Sequence, residues 1–224
     1  MPKYLLFCAP GTCARVPTIA LEEIGVPFET ELIRLASKQQ KSPEFLARNP
    51  KGKVPTLLID EEPLTENVAI LTWLHRNYPE TGLLPKADDE LSKIRQIADI
   101  AFFSATIHPL VARIAMPMNV VDGEQAFDLV RPKGTETMVP FMSMIDKRLA
   151  ENPWWYGSQW SIVDGYLFWA WWRITGVGFD SGPFPNIRKH AEKISRRPSV
   201  ERAMQRESEY VEQLKTEGLY RAPR

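Results

Sequence analysis

Three short stretches of the chain hold residues whose types and spacing could do chemistry. The first is Pro10-Gly11-Thr12-Cys13-Ala14-Arg15, directly after the apolar run Tyr4-Leu5-Leu6-Phe7-Cys8. A thiol or hydroxyl at a helix start stands where free backbone N–H groups and the helix dipole favour an anion. Cys13 there can have a lowered pKa and serve as a thiolate, or it can be an inert helix-start cysteine with Thr12 as the cap. The second is Val54-Pro55, where a proline opening a strand reads as an edge-strand residue or as a cis bond. A cis bond would turn the N–H and C=O of Val54 outward, toward an extended peptide ligand. The third is Thr65-Glu66-Asn67 before an apolar-periodic segment. Helix amides and Asn67 could take the carboxylate of an α-amino-acid end group and Glu66 its ammonium; the plain alternative is capping by Thr65 or Asn67. Cys8 lies inside the apolar run and reads as core. The C-x4-C spacing of Cys8 and Cys13 differs from the C-x-x-C of a dithiol redox pair.

The elements that must position these residues alternate in period. Residues 4–8 read as a buried strand, 13–23 as a helix stopped by Gly25-Val26-Pro27, and 28–32 as a second strand. A short helix starts at Ser42-Pro43, Asn49-Pro50-Lys51-Gly52 turns the chain, and 54–59 make a third strand. Residues 60–63 form a turn, a short strand is the optional element between the third strand and the next helix, and that helix over 68–78 carries Ile70, Leu71, Leu74 and Tyr78 on one face. This is an α/β unit over residues 1–79. Residues 80–89 read as a linker. Everything beyond reads helical, over 90–117, 135–151, 162–176, 185–196 and 199–214, so residues 90–224 form an all-α domain.

Composition narrows the function classes. The 28 Lys and Arg balance 28 Asp and Glu, so no basic face points to nucleic acid or an anionic membrane. No window approaches eighteen uninterrupted apolar residues, which predicts no membrane span. Two cysteines make no disulfide framework, which fits a reducing, cytoplasmic setting. The three histidines, His75, His108 and His190, are too scattered for a zinc site, so no metal is expected.

Taken together, Pro10-Gly11-Thr12-Cys13, Asn49-Pro50-Lys51-Gly52-Lys53-Val54-Pro55 and Leu64-Thr65-Glu66-Asn67-Val68-Ala69-Ile70 resemble the glutathione-binding half of cytosolic glutathione transferases. Gln159-Trp160-Ser161-Ile162-Val163-Asp164-Gly165-Tyr166-Leu167 resembles a helix-start motif of that superfamily's second half. The P-G-x-C loop is most similar to the bacterial beta class. The resemblance implies a thioredoxin-like first domain followed by an all-α domain, glutathione as co-substrate, no prosthetic group, and a homodimer. By the same resemblance, Cys13 matches the cysteine beside the glutathione sulfur and Lys38 a lysine reaching the glycyl carboxylate. Val54, with Pro55 cis and Lys53 beside it, would bind the central cysteinyl unit. Glu66 and Asn67 match the γ-glutamyl contacts, and His108 a histidine near the active site. Ser161 and Asp164 match a capping box. Ala14 stands where the class has serine, Asn67 where relatives have Ser or Thr, and Pro109 where a lysine is usual. The donor to the glutathione sulfur is therefore open among the Thr12 hydroxyl, the Cys13 thiol and a backbone N–H.

Six of the seven tryptophans fall between 154 and 172. Most read as packing. A sharper reading lets Trp172 or Arg173 reach an electrophile pocket whose other wall is Phe102, Phe103, His108, Ala112 and Met116, selecting hydrophobic, aromatic electrophiles. The leading expectation is conjugation of the glutathione thiolate to such compounds. The alternatives are thiol–disulfide exchange, dehalogenation or reductive ether cleavage through a Cys13 mixed disulfide, or a non-catalytic binding scaffold.

Overall fold

A computed structural model of the chain describes residues 2–221. Strand β1 (Tyr4–Cys8), almost wholly buried, is central because it pairs on both sides: parallel with β2 (Glu29–Leu32) and antiparallel with β3 (Thr56–Ile59). Strand β4 (Glu62–Thr65) adds antiparallel to β3, giving the order β2-β1-β3-β4. The stretch read as a turn over 60–63 is thus partly strand. Pro63 is tolerated there because β4 is an edge.

The sheet must be covered on both faces, and the apolar residues divide accordingly. Phe7, Ile33, Phe45 and Leu58 form one buried cluster, with Phe45 coming from α2 (Pro43–Arg48). Helices α1 (Arg15–Ile24) and α3 (Asn67–Asn77) bring Val16, Ile19, Ile70, Leu71 and Leu74, all buried. Helix α1 ends where Gly25 takes a left-handed φ of 77° and returns its N–H to the Leu21 carbonyl at 3.0 Å.

The chain divides into two compact units, and the division departs from the sequence reading. The helical unit is Leu84–Arg196; the last helix, α9 (Pro198–Thr216), belongs with the α/β unit. Charge explains this. Helix α1 buries Arg15 and Glu22 as well as its apolar residues, and α9 supplies their partners. Glu22 accepts from Arg202 and Arg206, Glu23 from Arg197, and Glu207 from Arg15. The expected linker also holds Leu83 and Leu84, both buried.

In the helical unit, α4 (Glu90–Ala101), a π-helical segment (Phe102–Ile107) and α5 (His108–Ala115) run without a break. Over its 26 residues this stretch is long and apolar enough to cross a membrane, with a mean hydropathy of 1.4 in its best window. Averaged hydropathy passes where the uninterrupted-run criterion does not. Ile100, Phe103, Ile107, Leu110, Val111 and Ile114 from this stretch are buried in the protein. Helix α6 (Glu124–Glu151) starts eleven residues earlier than its period suggested, running through the exposed Pro132 and Pro140. Gly134 lets it approach α5: a Cβ there would lie 3.0 Å from that of Arg113.

Helix α7 (Ile162–Thr175) is buried nearly all round, and α8 (Pro185–Ser195) packs on it. The capping box of Ser161 and Asp164 forms as expected. Asp164, fully buried, also accepts from the Trp155 N–H at 2.7 Å and pairs with His190 Nε2 at 2.9 Å. Removing this carboxylate strands several buried donors at once. Asp164→Ala is therefore expected to lose about 3–5 kcal/mol in urea denaturation, against about 1 kcal/mol for a simple cap loss. A loss no larger than that of Ser161→Ala would contradict this account.

Candidate functional site

The loop after β1 is built by local hydrogen bonds. Thr12 folds back, its Oγ1 donating to the Ala9 carbonyl at 2.6 Å and its N–H to the same oxygen at 3.3 Å. Helix α1 then begins at Arg15, two residues past Cys13, with Ala14 as an N-cap that offers no side-chain bond.

Three separate segments meet at Cys13. Its thiol donates toward the Val54 carbonyl at 3.9 Å, and Asn67 Nδ2 donates to its carbonyl oxygen at 3.2 Å. The Val54–Pro55 bond is cis. The preceding turn is clamped by Asn49, itself buried. Asn49 Nδ2 donates to the Lys53 carbonyl at 2.8 Å and to Thr56 Oγ1 at 2.9 Å, and its Oδ1 accepts the Lys51 N–H at 3.1 Å. Gly52 has a φ of 60°, and a Cβ on it would meet the Gln40 carbonyl at 2.8 Å.

Helix α3 starts without a side-chain cap. Its N-cap is Glu66, at φ 70° and ψ 126°, and neither Thr65 nor Asn67 fills that position. A non-glycine residue at positive φ costs about 1–3 kcal/mol, and such residues gather at ligand-binding sites. The exposed Glu66 carboxylate accepts from Lys51 Nζ at 2.7 Å, and the same ammonium reaches Thr65 Oγ1 at 2.9 Å.

Burial decides the state of the thiols. Desolvation pushes Cys13 up to about 12, only partly offset by hydrogen bonding from its backbone and Asn67 and by the Lys53 charge; Glu66 adds to the rise. Of the two readings of Cys13, burial favours the neutral helix-start thiol over the lowered-pKa thiolate. Cys8 is likewise buried and pushed up to about 12, in keeping with its reading as core.

The remaining expected residues are less concentrated. Lys53 is exposed beside Val54, close enough for its charge to act on Cys13. Lys38 is exposed at a left-handed φ of 60° between two short 3-10 turns. His108 belongs to the helical unit, where its Nδ1 lies 3.3 Å from Tyr166 Oη and its ring 4.6 Å from Trp169, edge-on. Pro109, lacking an N–H and crowding the turn before it, accounts for the π-helical widening that precedes His108. Phe103 is fully buried against Trp155 and Tyr166, so it lines no pocket; Phe102 stacks on Trp155. Trp172, Arg173, Ala112 and Met116 are partly exposed. Among the described residues, no group of three His, Cys, Asp or Glu could hold a metal. Asn49 and Lys51 were missed as site residues. An Asn before Pro-x-Gly is an Asx-turn signal that could have found the first; Lys51 is separated from Glu66 by 15 positions, and no local pattern pairs them.

The pattern described as "Glutathione S-transferase, N-terminal domain" matches residues 2–76, and "Glutathione S-transferase, C-terminal domain" matches residues 126–206. A bacterial beta class glutathione S-transferase of Sphingomonas chungbukensis is 32% identical, with a TM-score of 0.79 over 91% of this chain and 98% of that one. The chain belongs to the glutathione S-transferase family. A sphingomonad glutathione S-transferase solved in complex with glutathione is 31% identical, with a TM-score of 0.79 over 91% of this chain and 98% of that one. The glutathione S-transferase GstA of Escherichia coli O157:H7 is 26% identical over 208 residues, covering 90% of this chain and 98% of the relative. The thioredoxin-like first domain and helical second domain expected from the sequence are those of this fold.

The raised thiol pKa values give a direct test. With ordinary thiols near 8.5, a pKa of about 12 leaves on the order of 10³-fold less thiolate at pH 8. Native protein is therefore expected to resist alkylation at pH 8 while urea-denatured protein reacts at both cysteines. Because the folded pKa lies above the unfolded one, the stabilisation from buried neutral thiols is complete below about pH 8.5 and declines as pH rises toward 12. Rapid alkylation of Cys13 in the native state at pH 8 would refute this assignment.

Proposed function

We propose that the protein conjugates glutathione to hydrophobic, mainly aromatic electrophiles. The observation that carries this reading is the convergence on Cys13 of Val54 and Asn67, from two segments far apart in the chain. Glutathione would lie extended along these residues. Its cysteinyl backbone would pair with Val54, its γ-glutamyl end with Glu66 and Asn67, and its glycyl carboxylate with Lys38 and Lys53. The sulfur would sit at the Thr12–Cys13 loop, where a hydrogen-bond donor lowers the thiol's pKa. The thiolate then forms a sulfur–carbon bond with the electrophile and displaces its leaving group. Catalysis rests on that lowered pKa and on proximity. The partly exposed Ala112, Met116 and Trp172 of the helical unit support an apolar second substrate. His108 is a candidate contributor from the same unit.

The protonated state of Cys13 favours conjugation over exchange through a Cys13 mixed disulfide, which needs the thiolate. It also weighs on the donor: the Thr12 hydroxyl is held by Ala9 at 2.6 Å, whereas the Cys13 thiol has only a 3.9 Å contact with the Val54 carbonyl, so Cys13 or a backbone N–H is the readier one. A cytoplasmic homodimer completes the proposal. The exposed Leu91 and Ile94, three apart on α4, are suitable for an interface.

Binding to immobilised glutathione and conjugation of an activated aryl halide test the reading, and absence of both would overturn it. Glu66→Ala is expected to raise KM for glutathione by about 10–100-fold through loss of a charged hydrogen bond. Cys13→Ala should abolish any disulfide exchange yet leave measurable conjugation. Complete loss of conjugation in a folded Cys13→Ala protein would instead make Cys13 indispensable.

A further inference from the structure

We propose that Glu207, on the last helix, is a positioning residue for the chemistry at the Gly11–Cys13 loop; this rests on the reading that glutathione's sulfur meets that loop. Glu207 Oε1 accepts the Gly11 N–H at 2.9 Å and Arg15 Nη2 at 2.6 Å, while Oε2 accepts Arg15 Nε at 3.0 Å. One carboxylate therefore fixes both the turn before Cys13 and the first helical residue after it. Its own backbone is 196 positions away from Gly11.

The loop needs such an anchor. Gly11 sits at φ 72°, and the helix start behind it has no side-chain cap. Among its other ties are the two bonds from Thr12 to Ala9, those from the Ala14 and Arg15 N–H groups to Thr12, the Cys13 thiol's contact with the Val54 carbonyl and the bond from Asn67 to Cys13. These hold Thr12 and Cys13 locally, from Val54 or from the α3 side. The Gly11 contact holds the loop from α9. Glu207 also neutralises Arg15, whose side chain is fully buried, so the guanidinium presents no uncompensated charge beside the loop. What reaches a ligand sulfur is then a donor whose place is determined by the Gly11 anchor, and displacement by 1 Å can cost 10²-fold in rate.

Separating positioning from folding requires removal of the buried charge pair as a whole, since deletion of one partner leaves the other stranded. Arg15→Met/Glu207→Gln keeps a carbonyl oxygen for the Gly11 N–H. Arg15→Met/Glu207→Met keeps the volume and removes the acceptor. With glutathione and an aryl halide, kcat of the Gln variant is expected to exceed that of the Met variant by about tenfold or more, at similar KM for glutathione and similar melting temperature. Equal kcat in the two folded variants would overturn the proposal. If either does not fold, Glu207→Asp carries the test: it keeps the charge and withdraws it by one methylene, so a fall in kcat at unchanged KM for glutathione supports positioning and an unchanged kcat refutes it. Amide hydrogen exchange over residues 9–13 needs no turnover. Faster exchange in the Met variant than in the Gln variant supports the anchor even if glutathione proves not to be the ligand, and equal exchange refutes it.

Discussion

A guanidinium cannot be taken fully out of water unless a carboxylate comes with it, and much of the α/β unit follows from that constraint at Arg15. Its side chain has no exposure, and the partner comes from α9. The pairing ties the end of the chain to its beginning, and Glu22 and Glu23 add further pairs along the same helix face. The equal numbers of basic and acidic residues, neutral as a surface statement, conceal this internal matching. Because Glu207 also holds the Gly11 N–H, the contact that satisfies the charge is the one that shapes the loop.

Desolvation acts on the neighbouring thiol in the opposite sense. A helix start lowers a cysteine pKa when the sulfur faces water or a ligand, but Cys13 is buried against the Val54 carbonyl, and the cost of burial outweighs the hydrogen bonds and charge that lower it. The protein's own sulfur is better suited to donate a hydrogen bond than to attack. That is the role a conjugating enzyme needs beside a ligand's thiolate.

How much of this could be read from the chain depended on whether the decisive contact was local. Strands, the α1 stop at Gly25, the capping box at Ser161 and the Val54-Pro55 feature were legible because each is governed by neighbours in sequence. The fourth strand was read only as an optional short strand beside a turn at 60–63, since Glu62-Pro63 argues against a ladder unless the edge position is known. Helix α6 was cut short because the exposed Pro132 looks like a breaker when the packing partner, close to Gly134, is unseen. At the site, Cys13, Val54, Glu66 and Asn67 stood out by their local chemistry, and the resemblance supplied the roles expected of them. The placing of α9, the Lys51–Glu66 pair and the thiol's burial were not legible, because each depends on segments brought together only by folding.

Two carboxylates, Asp164 and Glu207, show what that long-range matching accomplishes. Asp164 gathers donors from Trp155, Ser161 and His190 and is enclosed within one helical unit, so its satisfaction specifies that unit's interior. Glu207 gathers Gly11 and Arg15 and keeps some exposure, so its satisfaction specifies a surface loop. Both obey the rule that a buried polar group must be hydrogen-bonded. In the first case the network ends in the core. In the second it ends at Gly11, the residue before Thr12, and a requirement of folding becomes a requirement of geometry at the site.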